Sequence, residues 1–342
     1  MRARPLSRVL TTALVTALLA TTAAGCGDDE DEGLVVYTGR NENLIEPLFE
    51  RFTEETGIEV TARYATSSAL AAQLLEEGSS TPADVFLSQD AGALGALQDA
   101  GALVPLSPEE LDRVPAQYRS SEGAWVGVTG RARVLVYDSA GVDAATLPTG
   151  IDGLLAPEYR GRIGYAPSNA SWQAFVTALR VTRGEDGARS WLEGFKANAP
   201  QAFDNNVLIL DAVDRGELDL GLINHYYVYE KAAATEGGLD ALNAEIHRFA
   251  PGDAGNLVNV TGVGVLQGKA DERTARLVDF LLGEEAQTYF AEVNKEYPLI
   301  AGVQPDVPGL PALADLQGPD VDLSQLDTLE QTLALLEEVG LT

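Results

Sequence analysis

The segment Gly33–Ala100, GLVVYTGRNENLIEPLFERFTEETGIEVTARYATSSALAAQLLEEGSSTPADVFLSQDAGALGALQDA, decides the fold class. Leu34–Tyr37 is a short apolar run of strand type. From Asn43 to Thr56 apolar residues return at Leu44, Leu48 and Phe52, the spacing of one helix face, and Gly57 stops the helix. Ile58–Tyr64 reads as the next strand, and Ala69–Glu77 as a helix that Ser67 or Ser68 can cap. Ala83–Leu87 follows as a buried strand and Ala91–Ala100 as a helix. Strand and helix in alternation build a doubly wound α/β sheet, whose ligands gather at the carboxyl ends of its strands.

Downstream, a stretch with Pro105, Pro108 and Pro115 leads to Trp125–Val128 and Arg133–Tyr137, which read as two strands carrying the chain between lobes. A second alternation begins with strand Arg162–Tyr165, helices Ser171–Arg183 and Gly187–Ala197, and a short strand near Gln201–Phe203. It continues with helix Val207–Arg215, strand Leu218–Ile223 and helix Tyr227–Glu236. Leu257–Val265 returns as a strand to the first lobe. Asp271–Leu282 and Glu285–Glu292 are amphipathic helices, and Pro305–Leu316 links to a last helix, Asp327–Val339. The expected architecture is an α/β clamshell of two lobes, each a mixed doubly wound sheet, with a multi-strand hinge. Lobe 1 takes residues 33–131 plus 256–306, and lobe 2 takes 132–255 plus 307–342.

The 342 residues are 45% apolar with a mean hydropathy of -0.03, a globular composition long enough for two domains. Lys and Arg number 23 against 52 Asp and Glu, a net charge of -29 that repels nucleic acid and anionic lipid. That acidity reads as a solvated, soluble surface and assigns no ligand. The single cysteine, Cys26, excludes a disulfide framework, a CxxC pair and a thiolate metal cage. Arg2, Arg4 and Arg8, the apolar run Val9–Ala20 and the small residues Ala23-Ala24-Gly25 make residues 1–25 an export signal. Its apolar run is shorter than the roughly 20 residues that span a bilayer. Ala23-Ala24-Gly25-Cys26 resembles a bacterial lipobox, although Ala23 stands where Leu is usual; Cys26 would then carry lipid and become the N-terminus. Residues 26–32 read as an acidic, solvated tether. The expected location is outside the cytoplasm, on the outer face of the cell membrane, with the lipid as the sole membrane contact.

Asn224-His225-Tyr226-Tyr227 lies directly between a strand and a helix. Neighbours on a strand point to opposite faces, so two phenols converge only where the backbone turns, as it does at such a junction. A hard cation takes oxygen ligands and stabilises phenolates whose free pKa is about 10. Spacing alone also permits plain aromatic packing at a helix start. Enzymatic signatures are missing from the sequence: it has no GxSxG elbow, no Walker loop, no HExxH and only two histidines. His225 and His247 both read as structural residues.

Leu34–Asn41 (LVVYTGRN), Pro82–Asp90 (PADVFLSQD), Trp125–Tyr137 (WVGVTGRARVLVY), Gly164–Phe175 (GYAPSNASWQAF), Asn224–Tyr227 and Glu296–Leu299 (EYPL) together resemble the ferric-ion-binding proteins. These are the substrate-binding components of bacterial Fe3+ ABC importers, and the likeness runs collinearly from about Gly33 to Val303. It implies a type II periplasmic-binding-protein clamshell that works with an ABC permease; because a clamshell must open, a monomer is expected. It implies Tyr226 and Tyr227 as iron ligands, and Asn206 and Asn224 as hydrogen-bond partners of a synergistic carbonate or phosphate. Ser168, Asn169 and Ala170 match the loop that cradles this anion, at a helix N-terminus where anions are favoured. Arg131, with Arg133 as second choice, adds positive charge. Two positions depart from the family pattern: its first-lobe histidine and glutamate ligands are replaced by Asn41 and Gln89. The resulting expectation is a site dominated by lobe 2, with Arg40, Asn41 and Gln89 touching anion or water across the cleft. Those neutral amides keep open a second reading, a small oxyanion or organophosphonate receptor of an importer without iron, which has no need of paired phenols. A surface adhesin or sensor on the same fold is a further possibility.

Overall fold

The computed structural model describes residues 33–342; the export signal 1–25, Cys26 and the tether 26–32 lie outside the described residues. β1 (Leu34–Thr38), α1 (Glu42–Thr56), β2 (Val60–Tyr64), α2 (Ser67–Glu77), β3 (Val85–Ser88) and α3 (Ala91–Asp99) follow the expected alternation. β1 lies between β2 and β3, parallel to both. α1 buries Ile45, Leu48, Phe49 and Phe52. It ends at Gly57, whose φ of 74° is left-handed and whose N–H bonds the Thr53 carbonyl. The cap of α2 is Thr66, which accepts from the Ala69 N–H at 3.3 Å, instead of Ser67 or Ser68. Ser67 is instead an acceptor for the Gln89 N–H at 2.8 Å, which ties α2 to the loop after β3.

After α4 (Pro108–Asp112), the two strands expected at Trp125–Val128 and Arg133–Tyr137 are a single buried strand of 13 residues, β4 (Val126–Asp138). The polar interruption Thr129-Gly130-Arg131 hid this continuity. Its side chains are satisfied by distant partners: the Thr129 hydroxyl donates to the Tyr297 carbonyl at 3.1 Å. Then come β5 (Ile163–Tyr165) and α5 (Ala170–Ala197), in which Gly184 (φ 73°, ψ 168°) separates the two helices expected there. β6 (Gln201–Ala202), α6 (Asn206–Asp214), β7 (Leu220–Asn224) and α7 (Tyr226–Ala233) precede β8 (Ala244–His247) and β9 (Val258–Val265). α8 (Glu272–Leu281), α9 (Glu284–Glu292), β10 (Tyr297–Pro298) and α10 (Leu329–Val339) complete the chain.

The sheet runs β2-β1-β3-β9-β4-β7-β5-β6, with β8 and β10 also paired to β4. Residues 126–132 of β4 pair with β9, residues 133–137 with β7 and residues 135–138 with β8, so one strand belongs to both lobes. The first core joins β1–β3 and α1–α3 to β9, α8 and α9. A second surrounds Trp172, Phe175, Trp191 and Phe195 of α5, and a third gathers α6 and α7. The last segment serves two of these cores: Leu323 and Leu326 join the first, while Leu335, Leu336 and Val339 join the second.

Residues 323–327 lie directly on α3. A Cβ at Gly95 would stand 2.2 Å from the Ser324 carbonyl oxygen, and one at Gly92 2.3 Å from that of Leu326. Glycine is required there by close approach, not by backbone angle. Gly95→Ala is expected to cost about 1–3 kcal/mol through overpacking, read as a lower urea midpoint.

Candidate metal site

At the end of β7 the backbone turns at once into a helix: His225 has φ -58° and ψ -41°, and Tyr226 and Tyr227 open α7. The turn brings both phenols to one side, with ring centroids 4.1 Å apart and planes 34° from parallel. Tyr226 is buried (9% exposed) and Tyr227 is half-buried. His225 serves the fold: its buried Nδ1 accepts from the Ala132 N–H at 3.1 Å and its ring stacks on Tyr297 at 4.5 Å. Burial pushes its imidazole down to about 3, which keeps it neutral. Burial also raises the Tyr226 phenol well above its usual range, Tyr227 adds to that, and Arg131 opposes it. A cation bound here must therefore displace a firmly held proton.

Two arginines flank the phenols from β4, two residues apart and so on the same face. Arg133 donates to the Leu222 carbonyl at 3.0 Å and to Asn224 Oδ1 at 3.4 Å. Its burial lowers its pKa to about 10, against the pull of Tyr227 and Tyr226. Arg131 bonds the Gln89 carbonyl and acts electrostatically on Tyr226 and Asp90. The sequence ranking of Arg131 before Arg133 thus meets a structure in which both arginines act electrostatically on Tyr226 and Arg133 alone bonds Asn224.

Asn224 Nδ2 donates to Ser171 Oγ at 2.8 Å, tying β7 to the first turn of α5. Asn169 caps that helix, accepting from the Ser171 N–H at 3.0 Å, and Ser168 and Ala170 beside it are exposed. Asn206, the first residue of α6, is buried with neither amide atom partnered, a costly state unless a ligand relieves it. Among the described residues no group of three His, Cys, Asp or Glu could hold a metal.

On the first lobe, Arg40 is buried and bonds Glu296 at 2.9 Å, Thr261 at 3.2 Å and Gln89 at 3.3 Å. Its charge is spent inside that lobe. Asn41 is exposed at the start of α1, and with Gln89 and Ala170 it lines a cleft of about 560 Å³. Tyr226, Tyr227, Asn206 and Asn224 are not among that cleft's lining residues.

Sequence reasoning gave no role to Glu296, although it sits in a quoted motif, nor to Glu230, one turn past Tyr226 on α7. Burial pushes the Glu230 carboxyl up to about 7; Glu296 adds to this, and Arg40 and Lys295 oppose it. Between the ordinary 4.5 and about 7 the folded state keeps a proton that the unfolded chain has lost, so stability falls as pH rises through this window. Glu230→Gln is expected to raise stability by about 1 kcal/mol at pH 8, after discounting for partial exposure, with the gain gone near pH 4. Paired urea melts at the two pH values measure it.

Residues 80–322 match the family described as bacterial extracellular solute-binding protein. The chain is 36% identical over 313 residues to the Fe(3+)-binding periplasmic protein of Serratia marcescens, covering 91% of each. It is 33% identical to the major ferric iron-binding protein of Neisseria meningitidis serogroup B, over 90% of this chain and 93% of that one. It is also similar to the crystal structure of iron-bound HitA from Pseudomonas aeruginosa. The TM-score is 0.81 at 34% identity, with 90% of this chain and 99% of that one covered.

Proposed function

Because this chain belongs to the periplasmic ferric-ion-binding proteins, which are solute-binding transport proteins and not enzymes, we propose that it holds Fe3+ through the phenolates of Tyr226 and Tyr227. The observation that carries this reading is the pair of phenols 4.1 Å apart at a strand-to-helix turn, with buried Arg133 beside them. A carbonate or phosphate completes the coordination sphere against Asn206, Asn224, Arg131 and the Ser168-Asn169-Ala170 loop. The unpartnered amide of Asn206 supports that role. The two lobes close around the ion as the ligand favours the closed state, and an ABC permease receives it. The protein acts as an exported monomer held by lipid on Cys26.

The test adds ferric nitrilotriacetate, with bicarbonate or phosphate, to the metal-free protein and records the visible spectrum. A broad phenolate-to-iron band is expected, and it should weaken when the anion is omitted. No band, together with thermal stabilisation by an oxyanion alone, replaces this reading with the oxyanion receptor.

A further inference from the structure

We propose that Ca2+ binds between Asp99, the last residue of α3, and Asp327, in the turn that leads into α10, with the Ser324 hydroxyl as a further oxygen donor. This site is separate from the ferric one and does not depend on it. It lies in a groove of about 530 Å³ that Asp99, Ser324 and Asp327 line together. Gly95, one turn before Asp99, is what lets them meet. A Cβ there would stand 3.3 Å from Asp327 Cβ as well as against the Ser324 carbonyl oxygen.

Two independent observations ask for a cation. Ser324 is 7% exposed and its buried hydroxyl has no hydrogen-bond partner, a costly state that a bound ion relieves. Asp99 and Asp327 are hydrogen-bonding neighbours, and burial, then Asp99, holds the Asp327 carboxyl above its usual range. Carboxylates so placed ionise together only with positive charge between them. The C-terminal end of α3 adds partial negative charge of its own. The other charged groups on the groove leave this need unmet. Glu122 and Asp322 are acids, and Asp322 already accepts from Ser121 at 3.0 Å and from the Ser324 N–H at 2.9 Å. Arg180 is held by Glu185, Thr328 and Thr332, and it opposes the push on Asp327 less than Asp99 supplies it. Among the described residues no third Asp, Glu, His or Cys joins the pair, so hydroxyl and water complete the shell. Ca2+ accepts such mixed oxygen donors at 6–8 positions, with Kd on the order of 10⁻⁴–10⁻³ M in weak extracellular sites. Bound here, it clasps onto α3 the segment whose leucines serve two cores.

The test follows thermal unfolding of the iron-free full chain at pH 7.5 and fixed ionic strength, in EDTA, in 10 mM Mg2+ and in 10 mM Ca2+. Ca2+ is expected to raise the melting temperature by about 3–5 °C over EDTA, and by more than Mg2+ does. Asp327→Asn should lose that rise and, in EDTA, melt above the wild type because the repulsion is gone. Ser324→Ala keeps both carboxylates and should weaken Ca2+ binding about fivefold by calorimetry. A rise no larger than that with Mg2+ reports only the acidic surface and overturns the site. So does a rise that survives Asp327→Asn, or an affinity that Ser324→Ala leaves unchanged. No rise at all, with a melting temperature that falls between pH 5 and 8, gives the pair a shared proton in place of the ion and likewise overturns it.

Discussion

Tyr226→Phe and Tyr227→Phe each abolish or halve the visible iron band and weaken ferric binding by roughly 10²–10⁴-fold. The magnitude follows from the charge removed: taking one partner from a buried ion pair costs about 3–5 kcal/mol, and each 1.4 kcal/mol is tenfold in affinity. Phenylalanine keeps the ring, so the 4.1 Å ring contact and the start of α7 survive, and the metal-free melting temperature should barely move. The Tyr226 proton is held by burial and by Tyr227, so wild-type affinity rises with pH as that proton becomes easier to displace. Tyr226→Phe should flatten this slope, which calorimetric titrations at pH 6.5, 7.5 and 8.5 would reveal. An unchanged affinity in both variants would remove the tyrosines from the site.

Glu296→Leu alone, or Arg40→Met alone, should destabilise the metal-free protein by roughly 3–5 kcal/mol and lower its melting temperature by about 10 °C. Arg40 and Glu296 form a fully buried ion pair at 2.9 Å, and either substitution strands the other charge away from water. Arg40 also bonds Thr261 on β9 and the Gln89 side chain after β3, so the guanidinium braces three segments of one lobe. The combined variant Arg40→Met/Glu296→Leu removes both charges and should recover most of the loss. A double-mutant cycle by urea melting reads the coupling directly.

Much of the fold was legible because most elements carry their own periodicity. The helix at Asn43–Thr56 and the strands at Leu34 and Leu257 fall within two residues of their observed limits. What escaped was decided by distant partners. β4 looked like two strands because Thr129 and Arg131 interrupt its apolar pattern, and their partners Tyr297 and Gln89 lie far away in sequence. β8 and β10, of four and two residues, are too short to show a period. At the site, the tyrosine pair and the asparagines stood in recognisable motifs. The engagement of Arg40 did not, since its carboxylate partner is 256 positions away. Nor did the unusual state of Glu230, which arises from its burial in the fold and, after that, from Glu296 in another part of the chain.

The first core places Leu34, at the start of the described chain, in the same cluster as Leu326, sixteen residues from its end. Synthesis delivers those two leucines at opposite ends of its timetable. Until the later part of the chain has been made, the first core still lacks β9, α8, α9 and the turn that settles on Gly92 and Gly95. The wiring order leaves the first core incomplete until nearly the whole length has been released.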